Sequence, residues 1–536
     1  VGASATAGNA RLQLAGLTRP GPSSAGAAGW STAAYAGAGS LYLNNGTATM
    51  LGIPSSGQPT MWERITVVGG MVTGGVTNNG LGVTAGGMVA PWVVDVKNNT
   101  WVGYNPTAGV FGGVDTGFQT IYPNNPVPTG PGVGQMFFSQ YQASAGATVN
   151  LTSGMTSGSD IVNLVNTSAN TNSTFTMQDN PDVYALRLQA PAANGNYTMR
   201  LARSGVNDTV TIRSGGLMLI GQASSSGTNT LWVDPNLIFG VGGSAEAAIF
   251  TTGTSGAGTL VNQITGNITA AGLTKFGTGW LNLNGLNTIT APITLNDGIL
   301  YLQNQMNGEG TATVGVTNGQ PIILNGGQLN IDTTLGTSTG ANLADAAFRR
   351  TMVTLNSDLY LNADASVYFR TSNSVNANIG AMQRVKSLTI ADLGADAGPV
   401  GASYRNGIST YLSDIHVVGP TALGAHNNNL RIAFNATPGT TFGGKVSGGM
   451  LSKFENGTAF LASPLNDYSL GTVIWAGVQN TATSVVASLT RTGTPFGTGP
   501  VTVQPGALLR IADPSNIAGN AVTLSSDGLG LAGLGL

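Results

Sequence analysis

Along most of this chain, apolar residues alternate with Thr, Asn or Gln in short runs, and each run closes on Gly, Asn or Asp. Leu281-Asn282-Leu283-Asn284-Gly285 and Asp297-Gly298-Ile299-Leu300-Tyr301-Leu302 are two such phrases. A period of two puts one side of a strand in a core and the other against solvent. The closing residues accept backbone angles that turn a chain sharply. Related phrases stand at 12–16, 41–46, 210–219, 323–331, 355–361 and 501–511.

A two-residue turn would fold such strands back antiparallel. Here the apolar pair recurs on both sides of a corner, with further strands at intervals of about 20 residues, the pattern of a solenoid whose coils bury their apolar faces on one another. The expectation is an all-β chain folded as a right-handed parallel β-helix, with loop or small side-domain insertions. Asn and Thr at equivalent corners are expected to form side-chain ladders.

Breaks in the pattern divide the chain into solenoid coils at 1–55, an aromatic-rich irregular insertion or wider coils at 56–145, and solenoid at 146–340. Coils with a short helix and loop insertions follow at 341–432, and C-terminal coils at 433–536. The second segment holds Trp62, Trp92, Trp101, Tyr104, Phe111, Phe118, Tyr122, Phe137, Phe138 and Tyr141. Exposed, these would make a sugar-stacking or subunit-docking surface; the expectation is that they fill a core. Residues 341–354 read as a helix capped by Asn342, with Arg349 and Arg350 near its end. The irregular stretch 376–432, with both histidines, reads as a protruding loop region.

Residues 272–302 resemble the autotransporter-associated β-strand repeat. The matching positions are Gly272-Leu273-Thr274-Lys275, Gly277, Gly279, Leu281, Leu283, Gly285, Asn287, Thr294, Gly298, Leu300 and Leu302. A weaker match runs from Gly497 to Leu509, and Ile289 and Ala291-Pro292 depart from the aromatic and glycines of the usual repeat. The resemblance implies a parallel β-helix displayed on, or exported from, a bacterial surface.

Composition narrows the partners. Gly supplies 80 of 536 residues, charged residues only 8%, hydrophobic residues 41%, and the formal net charge is −2. Such a chain offers no basic footprint for nucleic acid. Its neutral polar sides have little charge to keep copies apart, so end-to-end or lateral self-association is expected, with surface glycans as further partners. No run of apolar residues reaches the roughly 20 needed for a membrane helix. Cysteine is absent, which excludes disulfides and thiolate metal sites. The first residues, Val1-Gly2-Ala3-Ser4, suggest a removed leader or a fragment, and the tail at 527–536 shows no polar cap.

Candidate chemistry is thin. Asp179 with Asp182, and Asp392 with Asp396, are close in sequence, but glycoside hydrolysis needs two carboxyls about 5 to 9.5 Å apart across a sugar bond. An Asp at a turn is the ordinary reading. Gly336-Thr337-Ser338-Thr339-Gly340 matches a nucleophile elbow in letters, yet that motif requires an α/β-hydrolase sheet and a histidine base. Asp414 and His416 offer two metal ligands without a third, and His426 stands alone. The stretch 528–533 has the letters of a dinucleotide fingerprint but no helix to follow. Asn267 and Asn456 head Asn-x-Thr triplets of the frequency this composition produces. No catalytic residue, cofactor site or metal site is expected. The sequence therefore predicts a structural protein of the bacterial exterior, forming or decorating a fibre, layer or adhesive coat. The alternatives are an autotransporter passenger adhesin and, third, a carbohydrate-active β-helix enzyme.

Overall fold

A computed structural model describes residues 49–51, 91–95, 99–105, 110–113, 120–122, 139–143, 148–166, 172–190, 197–205, 208–221, 228–253, 259–306, 312–313, 319–335, 352–362, 365–372, 381–391, 407–411, 413–424, 429–431, 439–454, 457–475 and 484–525. The chain forms two compact units, Val1–Asn262 with Thr269–Gly279, and Gln263–Ile268 with Trp280–Leu536.

In the first unit one coil is made by three strands, Thr228–Val233, Asn236–Phe239 and Glu246–Thr251. Each lies parallel to a strand of the preceding coil, with Thr230 opposite Thr198, Asn236 opposite Thr209 and Ala248 opposite Gly216. The backbone groups of one coil are thus satisfied by the next. Register stacks like on like. Val162, Leu186, Leu217 and Ile249 form one buried column, and Leu164, Leu188 and Leu219 another. Full burial of each such side chain contributes about 1.5–3 kcal/mol, so the column, rather than any one strand, stabilises the coil.

The strand Thr209–Ile220 serves two sides of the coil because it bends at Gly215-Gly216. Gly215 has φ +86°, and a Cβ there would lie 2.0 Å from the Glu246 carbonyl oxygen. Only glycine lets the next coil approach so closely.

A small sheet rests on this unit. Val93–Asp95, Thr100–Asn105 and Val110–Gly113 run antiparallel in sequence, and Thr49–Leu51 lies parallel to the first of them. Trp101 is buried, donates its indole N–H to the Pro91 carbonyl at 3.1 Å, and faces Gly216, where a Cβ would come within 3.2 Å of its ring. Trp92 is buried too, so both described tryptophans of the aromatic segment fill a core as expected. Trp62, Phe118, Phe137 and Phe138 lie outside the described residues. Thr120–Tyr122 and Ser139–Ala143 already join the parallel stack, pairing toward Ile161–Asn166.

The second unit repeats the scheme. Trp280–Leu283, Ile299–Met306, Gly327–Leu335, Ala365–Ser372 and Gly407–Tyr411 pair in parallel, one per coil. A second parallel set runs through Ile293–Leu295, Ile322–Leu324, Met352–Leu361 and Ala381–Ile390. Late in the unit, Asn429–Arg431, Met450–Phe454, Gly471–Ile474, Val501–Val503 and Val522–Leu524 form a third.

The all-β parallel β-helix is therefore present. The corner ladders are present as well: the Asn325 amide donates to Asn296 Oδ1 at 3.0 Å, and the Asn362 amide donates to Asn325 Oδ1 at 3.1 Å. Two expectations need correction. Met352, Val353 and Thr354, read as the end of a helix, belong to a strand paired with Met382, Gln383 and Arg384, where β-branched residues fit the pleat; residues 341–351 lie outside the description. The stretch read as a protruding loop region holds strands at Ala381–Ile390, Gly407–Tyr411, Ser413–Val417, Thr421–Leu423 and Asn429–Arg431. Their short apolar runs find partners only in the neighbouring coil.

Candidate functional site

The sequence candidates within the described residues serve as structure. Asp179 is exposed at a corner with φ +66°, the turn role expected of it. Asp182 starts the next strand, and its carboxylate receives Arg213 Nε at 2.8 Å and Nη2 at 2.5 Å. A carboxylate engaged in this fork has its lone pairs committed to the guanidinium. Asp392, Asp396, Ser338, His426, Asn456 and the tail at 527–536 lie outside the described residues. Exposed Asn267 uses its side-chain oxygen to accept the Leu286 N–H at 2.9 Å, so it organises a corner.

His416 is half-buried on the strand Ser413–Val417. Burial, and then Arg384 opposite it on the preceding coil, hold its pKa below the ordinary histidine value. It is a sheet residue rather than the loop residue expected. Among the described residues no group of three or more His, Asp or Glu side chains could hold a metal ion, and no helix is long and apolar enough to cross a membrane.

The sequence reading overlooked the buried cations. Lys275 is 0% exposed, sits in the column of Leu217 and Ile249, and donates from Nζ to the Gly277 carbonyl at 2.5 Å. Lys453 is likewise 0% exposed, lies between Leu430 and Ile474 in register, and has Nζ 3.3 Å from Ser484 Oγ. The signal was available: Leu273-Thr274-Lys275-Phe276 and Leu451-Ser452-Lys453-Phe454 spell nearly the same word. A lysine inside a solenoid must be hydrogen-bonded to offset its desolvation, and here the nearby corner and the next coil take part.

Arg187 is a third case, 1% exposed. It donates to Asn163 Oδ1 at 3.0 Å, Gln189 Oε1 at 2.8 Å and the Asn99 carbonyl at 3.0 Å, and so fastens the small antiparallel sheet to the coils. Glu246, against the Thr274 hydroxyl that donates to it, is pushed above the ordinary carboxylate range by burial, with that hydrogen bond drawing it partly back.

Apart from these interior groups, one surface stands out in the second unit. Leu281, Leu283, Leu300, Leu302 and Leu329 point into the core, and the alternating positions face the other way. Asn282, Tyr301, Asn330 and Tyr368 fall in one register column. Trp280, Ile299 and Gln328 fall in the neighbouring one. Trp280, Tyr301 and Tyr368 are half-exposed, and the first two rings touch with centroids 5.4 Å apart at 44°. Gln328 donates its amide to Asn330 Oδ1 at 2.5 Å. The two columns carry aromatic, aliphatic and amide groups and no charge.

No family model matches the chain, and no solved structure does. Over 320 residues, covering 53% of this chain, the sequence is 25% identical to the adhesin BmaC autotransporter of Brucella suis biovar 1 (strain 1330). The chain spans about 9% of that relative's length. The similarity is thus to a stretch of an autotransporter adhesin, and it accords with the parallel coils described above.

Proposed function

We propose that this chain is an exported, surface-displayed β-solenoid acting as part of an autotransporter-type passenger, with adhesion as its task. The observation that carries the reading is the coincidence of two independent facts: a parallel stack of coils, and similarity across 320 residues to an autotransporter adhesin. The likeness of residues 272–302 to the autotransporter-associated repeat supports it further. Gly277, with φ +80° and the Thr251 carbonyl 2.4 Å from where a Cβ would lie, is a corner glycine of that repeat. Ile289, which replaces the usual aromatic, is buried and keeps the core position filled.

The role is read as non-catalytic. Of the paired candidates Asp179 and Asp182, the first forms a turn and the second is held in an ion pair, and the relative is named as an adhesin. A self-assembling fibre or layer, suggested by neutral composition, is the weaker reading because neither fold nor relative adds support to it.

The test is display of the chain on a non-adherent bacterial host, followed by counting of cells retained on epithelial monolayers and on abiotic surfaces. Retention well above vector-only cells, lost when the coils at 280–475 are removed, is the expected result. Displayed, folded chain that retains no more cells than the vector would end the adhesive reading.

A further inference from the structure

We infer that the outer face around Tyr301 in the second unit, whose aromatic columns bear no charge, is a binding site for a neutral, extended glycan lying across the strands. This deepens the adhesive reading by naming a ligand class and a place for it.

Stacked parallel strands lie about 4.8 Å apart. Tyr301 and Tyr368 share a register column with Asn330 between them, so their backbones are about 9.6 Å apart by the same spacing. That is the length scale of a disaccharide in an extended β-linked chain. A polymer lying along the column would therefore bring every second sugar over a tyrosine. The apolar faces of pyranose rings stack on aromatic rings, and Trp280, in contact with Tyr301, widens the platform at one end.

Specificity comes from an amide. Gln328 stands beside the rings in one of the two columns, and an amide can both donate to and accept from sugar hydroxyls. Gln328 is already oriented by its bond to Asn330, which is itself 1% exposed beneath this layer. An amide held in place loses less freedom on binding than a free one.

Charge selects the class. Elsewhere on the coils, outer positions carry ion pairs such as Arg213 with Asp182 and Lys386 with Asp358. The two columns here carry none, and the next column of the same face sets Asp332 in register with Arg370, one charge of each sign. An anionic polysaccharide would meet Asp332 as well as Arg370 beside this face, whereas a neutral one loses nothing.

The experiment is hydroxyl-radical footprinting of the full chain with cellohexaose, chitohexaose and the galacturonic acid hexamer, with calorimetry alongside. The expected result is saturable protection of Trp280, Tyr301 and Tyr368 by at least one neutral hexamer. Affinity should fall at least tenfold in the Tyr301→Ala, Tyr368→Ala double variant and be kept in Tyr301→Phe. Unchanged labelling of all three rings with both neutral hexamers overturns the proposal, and this needs no variant to fold. Binding of the acidic hexamer alone, or neutral binding indifferent to the double variant, overturns it equally. Cell retention without ring protection would remove this site and leave the adhesive reading standing; protection without retention would do the reverse.

Discussion

Coils between Thr148 and Thr251 and coils between Trp280 and Leu335 have the same backbone plan but hold their neighbours differently. Asparagine oxygens accept backbone N–H groups across coils in both, as Asn180 does from Thr209 at 3.0 Å, but the earlier region adds charge. Arg200 meets Asp234 at 2.5 Å and lies 4.9 Å from the Trp232 ring, Arg213 meets Asp182, and Arg187 ties three neutral acceptors together. The later region uses neutral amides: Asn296 to Asn325 along a corner, Gln328 to Asn330 on a face, and Asn287, whose side-chain oxygen accepts the Ile268 N–H at 3.0 Å. Stacking is thus supplied by backbone and core in both, and the outer side chains are left to set how each region responds to its surroundings.

The strongest test of that shared plan is a corner substitution in each region. Gly215→Ala and Gly327→Ala should each cost at least about 3 kcal/mol, since both combine positive φ with a carbonyl in the way. The carbonyl oxygens lie 2.0 Å and 2.4 Å from the added Cβ. Urea unfolding that finds either change tolerated would show that the corners are not set by the neighbouring coil.

Next in size is Arg187→Met, expected to cost about 3 kcal/mol because the side-chain oxygens of Asn163 and Gln189 lose the donor they share beneath the small sheet. Tryptophan emission should shift to the red as Trp101 becomes exposed; an unchanged spectrum would mean that Arg187 does not fasten that sheet.

Two smaller changes sharpen the contrast in kind. Asn325→Ala removes two ladder bonds and should cost about 1 kcal/mol, the same at low salt and at about 1 M salt. Asp234→Asn should cost under about 1 kcal/mol after solvent screening, and most of that should disappear at high salt. Equal salt response in the two variants would erase the distinction.

The smallest effect is one of pH. Because burial raises the Glu246 carboxyl, the folded chain keeps that proton to higher pH than the unfolded chain does. Its contribution is favourable below the ordinary carboxylate range and is lost as pH rises through the raised value. Glu246→Gln should therefore raise the neutral-pH melting midpoint by a degree or so, on the order of a few tenths of a kcal/mol, and leave it unchanged in acid. His416 works the other way, since its lowered value makes acidification below the ordinary histidine range destabilising.

Much of the stack was legible in the sequence because period two and glycine corners act locally. Leu281, Leu283, Leu300 and Leu302 announce their burial by alternation alone, and the Asn296–Asn325–Asn362 ladder follows from placing similar corners over one another. What stayed hidden depends on the next coil. Val353 and Thr354 sat among helix-favouring alanines and became strand because Gln383 and Arg384 offered hydrogen bonds. The burial of Lys275 and Lys453 was not read from the sequence, since a single strand does not tell which column its register will join. The face around Tyr301 was invisible for the same reason: Trp280, Tyr301 and Tyr368 are far apart in sequence, and only parallel pairing brings them side by side.

The glycine corners carry an implication for how such a chain can change over generations. Each layer meets its neighbour through a common backbone outline, with side-chain bonds added at some positions, so a whole layer can be copied or dropped and the flanking backbones still fit. Growth by duplication, followed by drift of the outward residues, would let one scaffold acquire new recognition surfaces while its interior grammar stays the same.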